Sequence, residues 1–284
     1  MKLVRYGDTG KEKPGILDAQ GAIRDLSGVV NDIDGNALSP DSLTKLRGLN
    51  MDSLPKVGGN PRLGSPVAMP SKLVAIGLNY SDHAKEANQA IPSEPIIFMK
   101  ATSSIIGPND PVILPKGSKK GDWEVELAFV MGKKAQSVSE ADALSYVAGY
   151  LVCNDVSERE WQLERGPTWD KGKGFDTFAP LGPWVVTADE IRDPQNLDMW
   201  LDVNGRRMQK GNTRTMIFAV AKLVSYCSQF MTLLPGDIIT TGTPPGVAMG
   251  MKPAPQWLKP GDVVTLGIEG LGEQRQKIVA HPGK

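Results

Sequence analysis

The chain has 284 residues, 40% hydrophobic and 23% charged, enough to bury a full core in one large domain or in a small and a larger one. Lysine plus arginine equals aspartate plus glutamate, 32 of each, so no bulk field recruits nucleic acid or a membrane surface, and partners are expected to be small molecules. No stretch approaches the roughly 20 apolar residues of a membrane span, and Met1-Lys2-Leu3-Val4-Arg5-Tyr6 lacks a hydrophobic signal core, which reads as a cytoplasmic protein.

Lys2 to Asp25 reads as short strands with a Gly-Asp-Thr-Gly turn, and Asp41 to Leu49 as a brief helix opened by Ser39-Pro40-Asp41. Ser53 to Ser71 holds seven Pro and Gly residues, a composition that resists helix and sheet and suits a linker. A small N-terminal α/β cap domain over 1–68 and a larger catalytic domain over 69–284 follow from that boundary. Beyond it, apolar strand candidates recur at Leu73–Gly77, Ile96–Lys100, Val112–Leu114, Trp123–Met131, Tyr146–Asp155, Gly182–Val186, Met199–Val203, Asp237–Thr241 and Asp262–Ile268. Helices are few: Ser139–Leu144, and Arg214–Phe230 with Met216, Ala219, Val220, Leu223, Val224 and Cys227 in helical steps. Without regular strand-helix alternation or a dinucleotide glycine fingerprint, a doubly wound sheet is disfavoured. The expected class is α+β, mostly β, with a rolled or barrel-like mixed sheet and peripheral helices. Cys153 and Cys227, far apart and without metal-type spacing, read as reduced core thiols.

Three acids lie where charge is unwelcome. In Asp122-Trp123-Glu124-Val125-Glu126-Leu127 an extended chain projects Glu124 and Glu126 from one face and Trp123, Val125 and Leu127 from the other. Neighbouring carboxylates repel, so an apolar strand keeps such a pair cheaply only with a cation between them or with the face open to water. Asp155 closes a second apolar run, Tyr146 to Cys153. Oxygen ligands alone point to a hard divalent ion, magnesium first, with manganese or calcium as alternatives to it, and not to zinc.

His83 and Glu86 are three apart and share a face if Ser81 onward is helical, so the carboxylate can fix the imidazole tautomer and leave the other nitrogen as a base. The same spacing suits a solvent-facing pair. Arg159 and Gln162 fall at helical spacing after Asp155, and Lys173 stands between two glycines; they can face the acids, or equally water. Thr241-Gly242-Thr243-Pro244-Pro245-Gly246 is a stiff loop that presents backbone amides and the Thr243 hydroxyl, fit to hold a carboxylate or to serve as a plain bend.

Taken in order, Gly77-Leu78-Asn79-Tyr80 with His83 and Glu86, the Asp122 to Leu127 run, Asn154-Asp155-Val156-Ser157 with Arg159 and Gln162, Lys173 with Phe175-Asp176-Thr177, Asn204-Gly205, Pro235-Gly236-Asp237 and Thr241 to Gly246 resemble the fumarylacetoacetate hydrolase family over about residues 70 to 275. The resemblance implies a mixed β-roll catalytic domain behind a small N-terminal one, as a homodimer or tetramer. It also implies a divalent metal on Glu124, Glu126 and Asp155, a lid-borne water-activating pair at His83 and Glu86, and substrate contacts from Arg159, Gln162, Lys173 and Thr243. Gly174 departs from the serine of many relatives.

The implied substrate is a 2-oxo acid, whose carboxylate and adjacent ketone chelate a hard ion. In a 2,4-diketo acid, water activated by His83 would add to the distant carbonyl, and the carbon-carbon bond would break to give pyruvate, with Lys173 facing the developing charge. Met1 to Gly7, Ser157 to Glu160 and Trp169 to Gly174 are similar to 2,4-diketo-3-deoxy-L-rhamnonate or L-fuconate hydrolases, which yield pyruvate and lactate; relatives often carry the label ureidoglycolate lyase. Acylpyruvate hydrolysis, oxaloacetate decarboxylation, ureidoglycolate cleavage and non-enzymatic binding of an oxo acid are the competing readings.

Overall fold

The computed structural model describes residues 1–283. Strand is the commonest regular structure, as the runs of β-branched and aromatic residues dictate, and two mixed sheets carry most of it. The larger has ten strands, in the spatial order Ile23–Asp25, Lys13–Leu17, Lys2–Tyr6, Ala179–Thr187, Val147–Asn154, Val125–Met131, Ile238–Thr240, Leu73–Gly77 and Ile96–Lys100, with Ile105–Ile106 pairing alongside Ala179–Thr187. The smaller runs Arg206–Asn212, Asp198–Val203, Val263–Ile268, Gly272–Ala280 and Val112–Leu114. The first three strands of the chain thus continue the large sheet, because Lys2 and Leu3 pair with Val186 and Val185.

The strand Val125–Met131 is central to the large sheet and buried along its whole length. Its odd positions, Val125, Leu127, Phe129 and Met131, pack with Leu201, Val264 and Leu266 of the small sheet. Its even positions, Ala128 and Val130, meet Leu3, Ile16 and Leu26 of the N-terminal part. Glu124 and Glu126 occupy the even face just before it becomes apolar, as the period of two requires.

All nine strand candidates beyond residue 70 are strands: Leu73–Gly77, Ile96–Lys100 and Val112–Leu114 have the expected bounds, and the other six have shifted ends. The Trp123–Met131 run is divided: Gly121–Asp122 pairs with Ser157–Glu158, and the ladder resumes at Val125. Arg206–Asn212 and Gly272–Ala280 escape sequence reading because both are polar, with apolar residues too sparse to mark a face. Two helix expectations need correction. Ser139–Leu144 is only a tight turn of helix at Ala143–Tyr146. The helix expected over Arg214–Phe230 is α-helical only from Val220, after a 3-10 turn at Thr213–Thr215. Asn79 explains the late start: its side chain donates to Phe218 O at 3.0 Å and accepts from Phe218 N at 2.8 Å, while its carbonyl accepts from Ile217 N at 2.7 Å, holding that segment extended. Past Asp155, Ser157–Glu158 is a strand and Glu160–Glu164 a single wide π-helical turn, in place of a regular helix. Cys153 and Cys227 are buried and unpaired. Among the described residues no helix is long and apolar enough to cross a membrane.

Candidate metal centre and catalytic cavity

Glu124, Glu126 and Asp155 arrive from two antiparallel neighbours of the large sheet, in which Cys153 pairs with Glu126 and Asn154 with Val125. Each offers an oxygen within 4.8 Å of the others, and all three are buried. Three cations surround them. Lys173 Nζ donates to Glu124 Oε2 and Asp155 Oδ2, both at 2.7 Å; Arg159 Nη2 donates to Glu124 Oε1 at 2.6 Å; Lys100 Nζ donates to Asp155 Oδ1 at 2.6 Å. Among the described residues no lysine or arginine forms an ion pair with Glu126, which accepts the backbone amide of Gly242 at 2.9 Å.

The electrostatics follow that asymmetry. Burial acts to raise the Glu124 carboxyl, but Lys173 and Arg159 overcome it and hold the group down at about 2. Burial raises Glu126 well above the usual carboxylate range, and the charges of Asp155 and Glu124 push the same way. Lys173 stays charged although burial opposes it, because Asp155 and Glu124 face its ammonium. The three cations match the three carboxylates in number, yet all of their ion pairs with the trio go to Glu124 and Asp155 and none to Glu126. An all-oxygen set with one carboxylate left without a cation fits a hard divalent ion and no soft one.

A cavity of about 520 Å³ opens over the cluster. Its walls include Glu124, Glu126, His83, Glu86, Arg159, Gln162, Lys173 and Thr243, so apart from Asp155, which lies beneath, every site residue expected from sequence reaches one space. His83 and Glu86 ride on the short helix Ser81–Glu86, with His83 Nδ1 3.1 Å from Glu86 Oε2. Glu86 also accepts from the Gly246 amide, at 3.2 and 3.3 Å, which ties the helix to the far side of the cavity. Burial acts to raise Glu86, yet the bonds from His83 and Gly246 prevail and hold it below 4.5.

Arg159 is a junction: Nη1 donates to Gln162 Oε1 and Nε to Asp122 Oδ2, both at 2.9 Å. Asp122 in turn accepts the amides of Trp123, Ala248 and Met249 at 2.8, 2.7 and 3.1 Å, fixing the loop at the cavity's edge. Thr243 lines the cavity, but its hydroxyl is spent internally, donating to Val125 O at 2.9 Å and accepting from Gln209 Nε2 at 2.8 Å. Gly172 is required where it stands: a Cβ there would lie 2.5 Å from Gln162 and 2.6 Å from Glu158 O. Sequence reading missed Lys100, Asp122 and Gln209. Lys100, a lysine ending the apolar strand Ile96–Lys100, carried the same signal as Asp155; Gln209 carried none.

This arrangement, a carboxylate cluster in a mixed β-roll beneath a His-Glu helix, defines a class of metal-dependent enzymes. Residues 72–279 match the family described as fumarylacetoacetate (FAA) hydrolase C-terminal, and the chain belongs to that family. A Burkholderia multivorans protein named "Putative hydrolase" is 63% identical over 276 residues, 97% of this chain and 98% of that one. The solved fumarylacetoacetate hydrolase of Exiguobacterium antarcticum superposes with a TM-score of 0.85 at 35% identity, covering 99% of this chain and 100% of that one. The maleylpyruvate hydrolase of a Sphingobium species, solved with manganese (II) ion and pyruvate, superposes at 0.82 with 30% identity and 99% coverage of both chains.

Proposed function

We propose that the protein is a metal-dependent hydrolase that cleaves the carbon-carbon bond of a 2,4-diketo acid and releases pyruvate. The observation that carries this reading is the buried trio Glu124, Glu126 and Asp155, in which Glu126 has no ion pair among the described residues and, with Glu124, lines the same cavity as His83. The trio would hold the divalent ion, magnesium first on ligand chemistry, and when bound the ion supplies Lewis acidity toward the two oxygens of the 2-oxo acid. The manganese and pyruvate bound by the Sphingobium relative support the same assignment.

The chain's own groups divide the remaining work. With Nδ1 turned to Glu86, His83 keeps Nε2 for a water proton. The water oxygen bonds to C4, the C3–C4 bond breaks, and its electron pair passes to the pyruvyl end as an enolate. Protonation at C3 then gives pyruvate, and C4 leaves as a carboxylic acid. Lys173, kept charged by two carboxylates, faces the charge as it develops. Arg159 and Gln162, fixed to each other, orient the substrate carboxylate.

The sugar-acid members of this substrate class, 2,4-diketo-3-deoxy-L-rhamnonate and L-fuconate, enter on sequence resemblance. The protein in cells would work as a homodimer, with residues 1–68 as a cap domain. Incubation with acylpyruvates, oxaloacetate and ureidoglycolate in the presence of magnesium or manganese tests the reading. Pyruvate from a diketo acid, without carbon dioxide, is expected; urea, or carbon dioxide from oxaloacetate alone, would overturn it.

A further inference from the structure

The charged groups fill one side of the cavity and leave the rest to hydrocarbon. Ile96, Phe98, Leu163, Trp169, Val247 and Met249 make that second wall. It begins where the first ends: the Phe98 ring lies 5.2 Å from Lys173 Nζ and meets Trp169 edge-on with centroids 5.5 Å apart. Trp169 holds its place only because residue 77 is glycine, since a Cβ there would lie 2.2 Å from the indole. Toward the mouth, Leu163 and Met249 remain 47% and 36% exposed, two of the few large apolar side chains the fold leaves in water. Such exposure on a concave wall marks a surface that an apolar ligand covers.

The polar side chains of the cavity are gathered on one side and bonded to one another. The Arg159 nitrogens serve Asp122, Glu124 and Gln162, Lys173 serves Glu124 and Asp155, and the Thr243 hydroxyl serves Val125 and Gln209. Gln162 completes that group, and beyond it and the His83–Glu86 pair only Gln89 and Lys252 remain, both exposed at the rim. The spare N–H groups of Arg159, Lys173 and Gln162 belong to the side where the reading above places the 2-oxo acid, and the wall of Ile96, Phe98, Leu163, Trp169, Val247 and Met249 has no charged, amide or hydroxyl side chain of its own for a hydroxyl or a second carboxylate at the acyl end.

We infer that the preferred substrate is a 2,4-diketo acid whose acyl end is an apolar chain or ring, seated against Phe98, Trp169, Leu163 and Met249, rather than a hydroxylated or carboxylated one. This rests on the diketo-acid reading above, narrows it to one acyl chemistry and, within that class, sets the hydroxylated sugar acids below the apolar acylpyruvates. Adding a methylene in an apolar pocket is worth about tenfold or more in kcat/KM, and a hydroxyl denied a partner forfeits that gain.

The test compares pyruvate release by the manganese-loaded enzyme from 2,4-dioxopentanoate, 2,4-dioxooctanoate, 2,4-dioxo-4-phenylbutanoate, 5-hydroxy-2,4-dioxohexanoate and succinylpyruvate. The octanoate or phenyl compound should exceed the hydroxylated and carboxylated ones by about tenfold or more in kcat/KM. In the double variant Leu163→Ser, Met249→Ser, both at exposed positions, the ratio of octanoate to pentanoate should fall about tenfold. Equal or faster turnover of the hydroxylated or carboxylated acid, or an unchanged ratio in the double variant, overturns the inference while leaving diketo-acid hydrolysis standing. No pyruvate from any of the five removes both.

Discussion

The floor and the lid of the cavity are built on opposite principles. On the floor, Glu124, Asp155, Lys100, Arg159 and Lys173 are buried and bonded to one another at 2.6 to 2.7 Å. The lid is a helix of six residues with no side-chain cap at its start, held across the cavity by Glu86 and the Gly246 amide. A helix that short has little stability of its own and depends on docking, so the floor is preorganised while the lid is free to respond to substrate. The buried ion pairs make the floor expensive to alter, whereas the lid helix has none and carries an exposed Glu86, which sets the order of the expected effects.

Asp155→Asn should be the most damaging change. It strips Lys100 and Lys173 of a shared carboxylate inside the protein, and breaking a buried pair costs about 3–5 kcal/mol. Thermal unfolding should drop sharply and pyruvate release vanish; a variant melting like the parent would show that the floor is not under this tension. Glu126→Gln separates the metal from the scaffold, because among the described residues Glu126 has no lysine or arginine partner to orphan and an amide still accepts from Gly242. Its melting without metal should stay near the parent's, while calorimetry should find manganese binding lost and activity with it. Retained manganese binding would break the assignment of the trio.

On the lid, His83→Ala should lower kcat by about 10²–10⁴-fold with the fold and manganese affinity intact. Loss of metal binding in that variant would mean that lid and floor are one unit. Glu86→Gln should cost less. Glu86 is held below 4.5, so its contribution to lid docking is complete above that pH and fades as the pH falls through the depressed value. The acid-side decline of kcat/KM that this produces should be missing in Glu86→Gln; an identical acid limb in both proteins would falsify the role of Glu86 as lid anchor.

The floor was the more legible of the two regions. A period of two in Trp123 to Leu127 fixes which side chains share a face, so Glu124 and Glu126 could be paired before any contact was known. Asp155 followed from the same reasoning on the adjacent strand. The lid spacing of His83 and Glu86 held as well, because three residues make nearly one turn. What stayed hidden is what depends on chain crossing. Lys100 meets Asp155 from the edge of the sheet 55 residues away, and Asn79 pulls Ile217 and Phe218 out of an otherwise helical pattern. Gln209 sits on a polar strand whose composition gave no face to follow. The Thr243 hydroxyl looked available in a stiff loop and is instead consumed in pinning that loop to Val125.

Asp122 draws one further consequence. Its carboxylate fastens the Ala248 and Met249 amides to the guanidinium that also grips Glu124. Met249 lines the hydrocarbon wall and Glu124 the proposed bed of the ion, so on that proposal ligand preference and ion affinity would share a single mechanical joint. Efforts to retrain the enzyme toward bulkier molecules by randomising the 247–250 segment should therefore yield clones whose hunger for metal drifts in step with their appetite for substrate.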